Sequence, residues 1–366
     1  MHISIADPFF QTSIFILILV IFTVITLKKD QNPHEMDFSH TDELKGVAIL
    51  MVIFSHIGYF LFSDHKFLFP LSVCGGVGVN LFLFLSGFGL TRSEIKSEKS
   101  VIGFYKKRLR NLFIPMWAVL ILTLALDYFL LGKVYKLPVV TGSFLGFFPV
   151  SDIDSAINSP MWYFTLILFY YLIFPLVFRR NRPVLSVAIL ILVSIFTTRL
   201  NLPVTKDLLK LYQLHNFAFP LGVAFAFLNE KKIGLAIKAT FQKLLHNTLL
   251  LIAIRYITIG ILLFIFGYTS IHSGIGKSVS AEQTVSIITM ASLVLLFLLK
   301  SFHSRLFIIF GIYSYEIYLI QWPILYRYDF IYQHTSASVG TLLYLALFVL
   351  IGFILKRALR LVIKTG

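Results

Sequence analysis

Apolar residues along this chain come in blocks of close to twenty, parted by short polar stretches that hold most of its lysine and arginine. A block of that length is what an α-helix needs to cross the hydrocarbon core of a bilayer. The pattern predicts an all-α fold, a polytopic transmembrane helical bundle of about eleven spans. They fall at roughly 10–27, 44–62, 76–91, 111–131, 161–178, 183–199, 211–228, 247–268, 283–300, 306–326 and 339–356. Gly75, Gly76 and Gly78 crowd the third span, and Pro220 interrupts the seventh. A proline is tolerated there when neighbouring groups satisfy the carbonyl it frees.

Composition supports the same reading. Of 366 residues, 58% are hydrophobic and only 13% charged, and the mean hydropathy is +0.86. No long polar stretch remains to build a separate soluble domain. The net charge of +15 would suit nucleic acid if it formed one patch. It is instead dealt into alternate loops, so it sets orientation, and no nucleic-acid partner is expected. With the N-terminus outside, the cytoplasmic side collects Lys28, Lys29, Lys45, the positives of 92–110, "RRNR" at 179–182 and those of 231–243. Lys300, Arg305, Lys356, Arg357, Arg360 and Lys364 complete it. The expectation is a multi-pass protein of the plasma or inner membrane, with its N-terminus outside and its C-terminus cytoplasmic. "MHISIADPFFQTSIFILILVIFTVITLKK" has no early basic residue and no small-residue cleavage site, so it reads as an uncleaved helix. The single cysteine, Cys74, excludes an intrachain disulfide.

Candidate chemistry begins with "DELKGVAILMVIFSH" (42–56), where an apolar run carries Lys45 and, eleven residues on, His56. Eleven residues are nearly three helical turns, so the two share one face about 16 Å apart along the axis. The expected span places Lys45 at the membrane edge and His56 near the midplane. An ionisable group inside a membrane is costly and marks a functional hypothesis. A neutral imidazole can take a proton from an attacking hydroxyl or accept an acyl group itself. Equally, it can be a structural histidine bonded between helices. Lys45 suits a phosphate, or simply snorkels.

"GGVGVNLFLFLSGFGL" (75–90) is no phosphate loop, since no Gly-Lys-Ser/Thr follows. Its small residues, Ser86 included, permit close helix approach, and Asn80 needs a polar partner. "FYKKRLRNLFIP" (104–115) sets Lys106, Lys107, Arg108 and Arg110 directly before a predicted helix, as a topology anchor or a cationic site for a polyphosphate. Arg255 and Glu316 also lie within spans, to pair with one another or to orient His56 or a substrate hydroxyl. No metal site is expected.

Taken in order, these segments resemble the acyltransferase 3 family of integral membrane acyltransferases. The likeness runs through Lys45 and His56, "GVNLFLFLSGF" (78–88), "KKRLRNLFIP", "MWYFTLILFYYLIFPLV" and "SYEIYLIQWPI", covering about 45–325. The chain departs from the family where Asn80 replaces a frequent Asp and Gln321 a frequent His. The carboxylate usual a few residues after the Trp162 position is absent, and Arg-x-x-Arg is here Lys107-x-x-Arg110. The resemblance implies residues 1–30 as an extra N-terminal transmembrane helix ahead of an acyltransferase domain at 31–366. It implies O-acyl transfer, usually acetyl, from cytoplasmic acyl-CoA as co-substrate, with no permanently bound cofactor. The implied acceptor is a hydroxyl of a cell-surface or exported carbohydrate or glycolipid, with membrane lipids as the further partner. His56 and Glu316 are then the catalytic candidates. Lys45, Lys107, Arg108 and Arg110 would bind the donor, and Asn80, Ser86, Trp162, Arg255 and Gln321 the acceptor. A secondary transporter with a midplane ionisable site is the rival reading.

Overall fold

Asp37 starts the helix that carries Lys45 and His56. Its side chain accepts the backbone N–H of His40 at 2.9 Å, satisfying a donor that the first turn would leave open. The computed structural model describes residues 3–30, 36–62, 65–97, 100–152, 156–200, 208–231, 248–273 and 278–365. Most of the expected 231–243 loop lies outside them. In chain order the first elements are α1 (Pro8–Ile25), strand β1 (Leu27–Lys29), α2 (Phe38–Ser55) and α3 (Gly75–Lys96). Next come α4 (Val101–Leu131), α5 (Leu137–Phe144), α6 (Trp162–Val177), α7 (Pro183–Arg199), α8 (Leu209–His215) and α9 (Ala218–Glu230). The last are α10 (Thr248–Ile271), α11 (Val279–Leu299), strand β2 (Phe302–Ser304), α12 (Arg305–Ile312), α13 (Ser314–Tyr326) and α14 (Ala337–Thr365).

By their contacts these elements form two compact units. One holds residues 2–96 and 217–312. Its centre is α2, and glycines set how close the neighbours come. A Cβ on Gly46 would fall 1.8 Å from the Phe307 carbonyl oxygen of α12, and one on Gly311 would fall 1.7 Å from that of Asp42. Gly87 of α3 and Gly222 of α9 make the same reciprocal contact with Phe219 and Phe84. Without a hydrophobic force between helices in lipid, such backbone contact is what holds them. The N-terminal helix joins this unit through Phe15, packed edge-on to Phe54 at 5.4 Å. Antiparallel pairing of β1 with β2 also ties it in. At the other extreme, α10 buries only Ser270, near its end, among its described residues and presents Ile257, Ile261 and Phe264 outward, as a lipid-facing helix does.

The second unit holds residues 97–216 and 313–366. Its polar centre was not foreseen. Asp127, fully buried near the end of α4, accepts from Arg327, from Tyr328 and from Tyr135, the last at 2.5 Å. Burial, and then the Asp127 carboxylate, push both tyrosine hydroxyls well above their ordinary range, so they stay protonated as donors. Arg327 also donates to the carbonyls of Ala156 and Ile157, fastening the segment before α6. Asp127→Asn keeps the volume but leaves Arg327 without its counter-charge. It is expected to cost about 2–3 kcal/mol, read as a lower melting temperature of the detergent-solubilised protein.

Nine helices among the described residues are long and apolar enough to cross a membrane, or ten if α12 and α13 form one broken span. Of the about eleven spans expected, that count leaves out the sixth, 183–199, an apolar helix of 17 residues opened by Pro183 and ending at Arg199. It is about 26 Å long against a hydrocarbon core of about 30 Å. The architecture is a polytopic helical membrane protein, with one short two-stranded sheet among the described residues.

Candidate active site

Along α2 most side chains are buried, and Ala48, Ile49, Ile53 and the adjoining Ile57 are completely so. His56 is only half-buried, and it stands where α-helical bonding gives way to a π-helical turn, His56–Leu61. Such turns are rare, appear mostly as single turns within α-helices and are frequent at functional sites. Phe60 meets the imidazole edge-on, with ring centres 6.0 Å apart. Gly58 fixes the turn against the loop that follows, since a Cβ there would lie 2.4 Å from the Phe67 carbonyl oxygen. The span is Phe38–Leu61. His56 therefore occupies its last turns and not its midpoint, because the Asp37 cap starts the helix earlier than the apolar pattern does.

Lys45 lies on the same helix, half-exposed, and donates to Asp42 at 2.9 Å. The shared face with His56 is retained, with part of the lysine charge already met. Asn80 is fully buried on α3 and donates to Ser286 of α11 at 2.8 Å, a bond that joins two helices. Ser86, two turns on, is half-buried. Arg255 of α10 reaches the end of α11, donating to the Leu299 carbonyl at 2.7 Å and the Ser301 hydroxyl at 3.0 Å.

In the other unit the basic cluster sits inside a helix and not before one. Ser100 accepts the Gly103 N–H at 3.1 Å and starts α4 early, so Lys106, Lys107, Arg108 and Arg110 occupy its second and third turns. The lysines are exposed and the arginines half-buried. The Nε of Arg110 is buried without a hydrogen-bond partner among the described residues, a donor that an anionic ligand would satisfy.

Trp162 opens α6 and stacks on His215 of α8, with ring centres 5.6 Å apart and planes 19° from parallel. Tyr212 lies beside it at 6.3 Å. The Tyr318 hydroxyl donates to the Pro160 carbonyl at 2.9 Å, and the Asn158 amide to the Leu319 carbonyl at 2.8 Å. These bonds hold the start of α6 against α13. A mainly apolar cavity of about 270 Å³ opens between α6, α7 and α8, with Thr165, Ser194, Tyr212 and Asn216 in its wall. Sequence reading missed His215, since only the folding of α8 onto α6 gives it Trp162. Glu316 is buried in the first turn of α13, where the helix N-terminus favours a carboxylate. The charges that bear on it come from Lys356 and Arg360 of α14. Gln321, further along α13, is fully buried. Arg255 thus bonds within its own unit, and the charges that bear on Glu316 lie within its own as well.

Known proteins give this geometry a context. A family model described as an acyltransferase domain, Acyl_transf_3, matches residues 41–357. An O-acetyl transferase of Shigella phage Sf6 is 26% identical over 270 residues, which are 68% of this chain and 75% of that protein. No solved structure matches.

Proposed function

The chain belongs to the acyltransferase 3 family, and from that premise we propose that it moves an acetyl group from acetyl-CoA to a hydroxyl of a cell-surface or exported carbohydrate or glycolipid. As a membrane-bound O-acyltransferase it uses an acyl donor and a hydroxyl acceptor. The likeness to the O-acetyl transferase of Shigella phage Sf6 supports acetyl as the group moved. The observation that carries the reading is His56, half-open beside the fully buried Ile53 and Ile57 at the start of a π-helical turn.

In the proposed reaction, neutral His56 takes the proton of the acceptor hydroxyl as its oxygen attacks the thioester carbonyl. The tetrahedral intermediate then expels the coenzyme A thiolate, which recovers that proton. A histidine that carries the acyl group transiently is the variant route. Lys45, Lys107, Arg108 and Arg110 are assigned to the donor phosphates, with the orphan Nε of Arg110 as the support for that role. Asn80, Ser86, Trp162, Arg255 and Gln321 are assigned to the acceptor, and Glu316 to orienting the reacting groups. Residues 1–30 are assigned as a helix added ahead of the transferase domain. The proposed topology keeps the N-terminus outside and the C-terminus cytoplasmic, with α7 crossing as a short eleventh span. The alternate placement of basic residues supports it.

The test is release of free coenzyme A thiol by the purified protein in lipid vesicles, with and without isolated surface glycan. Glycan-dependent release is expected, and its absence with every hydroxyl acceptor would contradict the proposal. Arg110→Ala is expected to raise the KM for acetyl-CoA about tenfold with little change in kcat, measured in the same assay.

A further inference from the structure

Three ionisable side chains that the transfer reaction does not use meet at the start of α2. Asp30 follows β1, His40 is in the first turn of α2, and His303 is the middle residue of β2. All three are buried, His40 completely. The β1–β2 register pairs Lys28 with His303, which brings Asp30 to the same place. Each oxygen of the Asp30 carboxylate faces an imidazole: Oδ1 lies 3.1 Å from His303 Nε2, and Oδ2 lies 3.3 Å from His40 Nε2.

The opposite nitrogen of each ring is held by another carboxylate. His40 Nδ1 is 2.9 Å from Asp37, and His303 Nδ1 is 2.9 Å from Glu43, which also accepts from Lys300 and from the Ser304 N–H. With Nδ1–H donating outward, both Nε2 lone pairs point inward at Asp30. This is the outer arrangement that fixes tautomer and raises basicity in metal-binding histidines.

A buried carboxylate needs a positive partner, and here it is either a proton on each Nε2 or a metal ion. Geometry separates the two. A protonated His40 would aim Nε2–H at Asp30, yet His40 Nε2 is buried and makes no hydrogen bond among the described residues. Tetrahedral ligands about 2.0–2.1 Å from one ion stand about 3.3 Å from each other. Each nitrogen lies near that distance from one Asp30 oxygen, and one ligand atom of each residue lies within 4.8 Å of the other two.

We propose that Asp30, His40 and His303 bind one divalent transition-metal ion, Zn²⁺ being the ion whose ligand set they fit. The ion clips the β1–β2 pair to the start of α2. Asp30 and His40 precede the segment that matches the family model and His303 lies within it, so the ion joins the N-terminal segment to the transferase domain. Asp37 and Glu43 are the orienting carboxylates, and Lys300 balances Glu43.

The test uses the full chain without a histidine tag, purified in detergent, stripped with a chelator and dialysed against Zn²⁺ alone. Elemental analysis is expected to find about one Zn²⁺ per chain. The variants Asp30→Asn and His303→Gln should lose it. Zn²⁺ should also raise the melting temperature of the stripped wild type by several degrees and leave the variants unmoved. Stripped wild type loaded with Co²⁺ should show the visible bands of a tetrahedral nitrogen and oxygen site, a reading that stands even where a variant fails to accumulate. Zn²⁺ retained by both variants would overturn the proposal, as would wild type that binds no Zn²⁺ and shows no Co²⁺ bands. In that last case the histidines are protonated partners of Asp30.

Discussion

His56→Ala is expected to lower acetyl transfer at least 10²–10⁴-fold, about the contribution of a positioned general base. The loss should fall on kcat and on kcat/KM alike, because the imidazole acts on the proton that moves in the transition state and not on the donor phosphates. Folding should survive the change. His56 is half-buried, its ring contacts Phe60 at an edge, and the core positions beside it, Ile53 and Ile57, are untouched. His56→Gln refines the result: it keeps polarity and much of the volume but accepts no proton at neutral pH, so it should be as inactive as alanine. Membranes matched for protein level decide between a catalytic role and a packing role.

Gly311→Ala should have the largest effect on stability of any single methyl group added at a described glycine. Its Cβ would land 1.7 Å from the Asp42 carbonyl oxygen, a backbone atom of α2 that cannot rotate aside. The α2 and α12 backbones must separate, and the reciprocal contact of Gly46 with Phe307 is lost with them. A cost above about 3 kcal/mol is expected, despite the roughly 1 kcal/mol that alanine gains over glycine in a helix. Gly260→Ala supplies the control, because nothing lies within 4 Å of its Cβ position. It is expected to be neutral or slightly stabilising. Melting temperatures of the two variants in one detergent should therefore move apart, with Gly311→Ala far below wild type.

The spans and the Lys45–His56 face were legible because both follow from periodicity within one segment. An apolar run of twenty residues and a spacing of eleven need no knowledge of what packs alongside. Helix starts were less legible. Asp37 and Ser100 begin α2 and α4 well ahead of the apolar blocks, which moved His56 off the middle of its span and put the basic cluster inside a helix. Groups assembled across the chain were not legible at all. Asn80 meets Ser286, Trp162 meets His215, and Asp30 meets His303 only through packing of distant segments. Asp127 is a different case. A carboxylate in the apolar run 111–131 was as strong a signal as Glu316 and marked the centre that fastens Arg327.

The measurement that bears most directly on the central claim follows the acyl group itself. Membranes carrying the protein are given acetyl-CoA labelled in the acetyl group together with isolated surface glycan, and the glycan is recovered and treated with mild alkali. The label should enter the glycan as an alkali-labile ester with wild type and stay out with His56→Ala at equal protein level. Label that enters equally with both would remove His56 from the chemistry. Label that never forms an ester with wild type, across glycans and with intact donor, would contradict acetyl transfer to a carbohydrate hydroxyl.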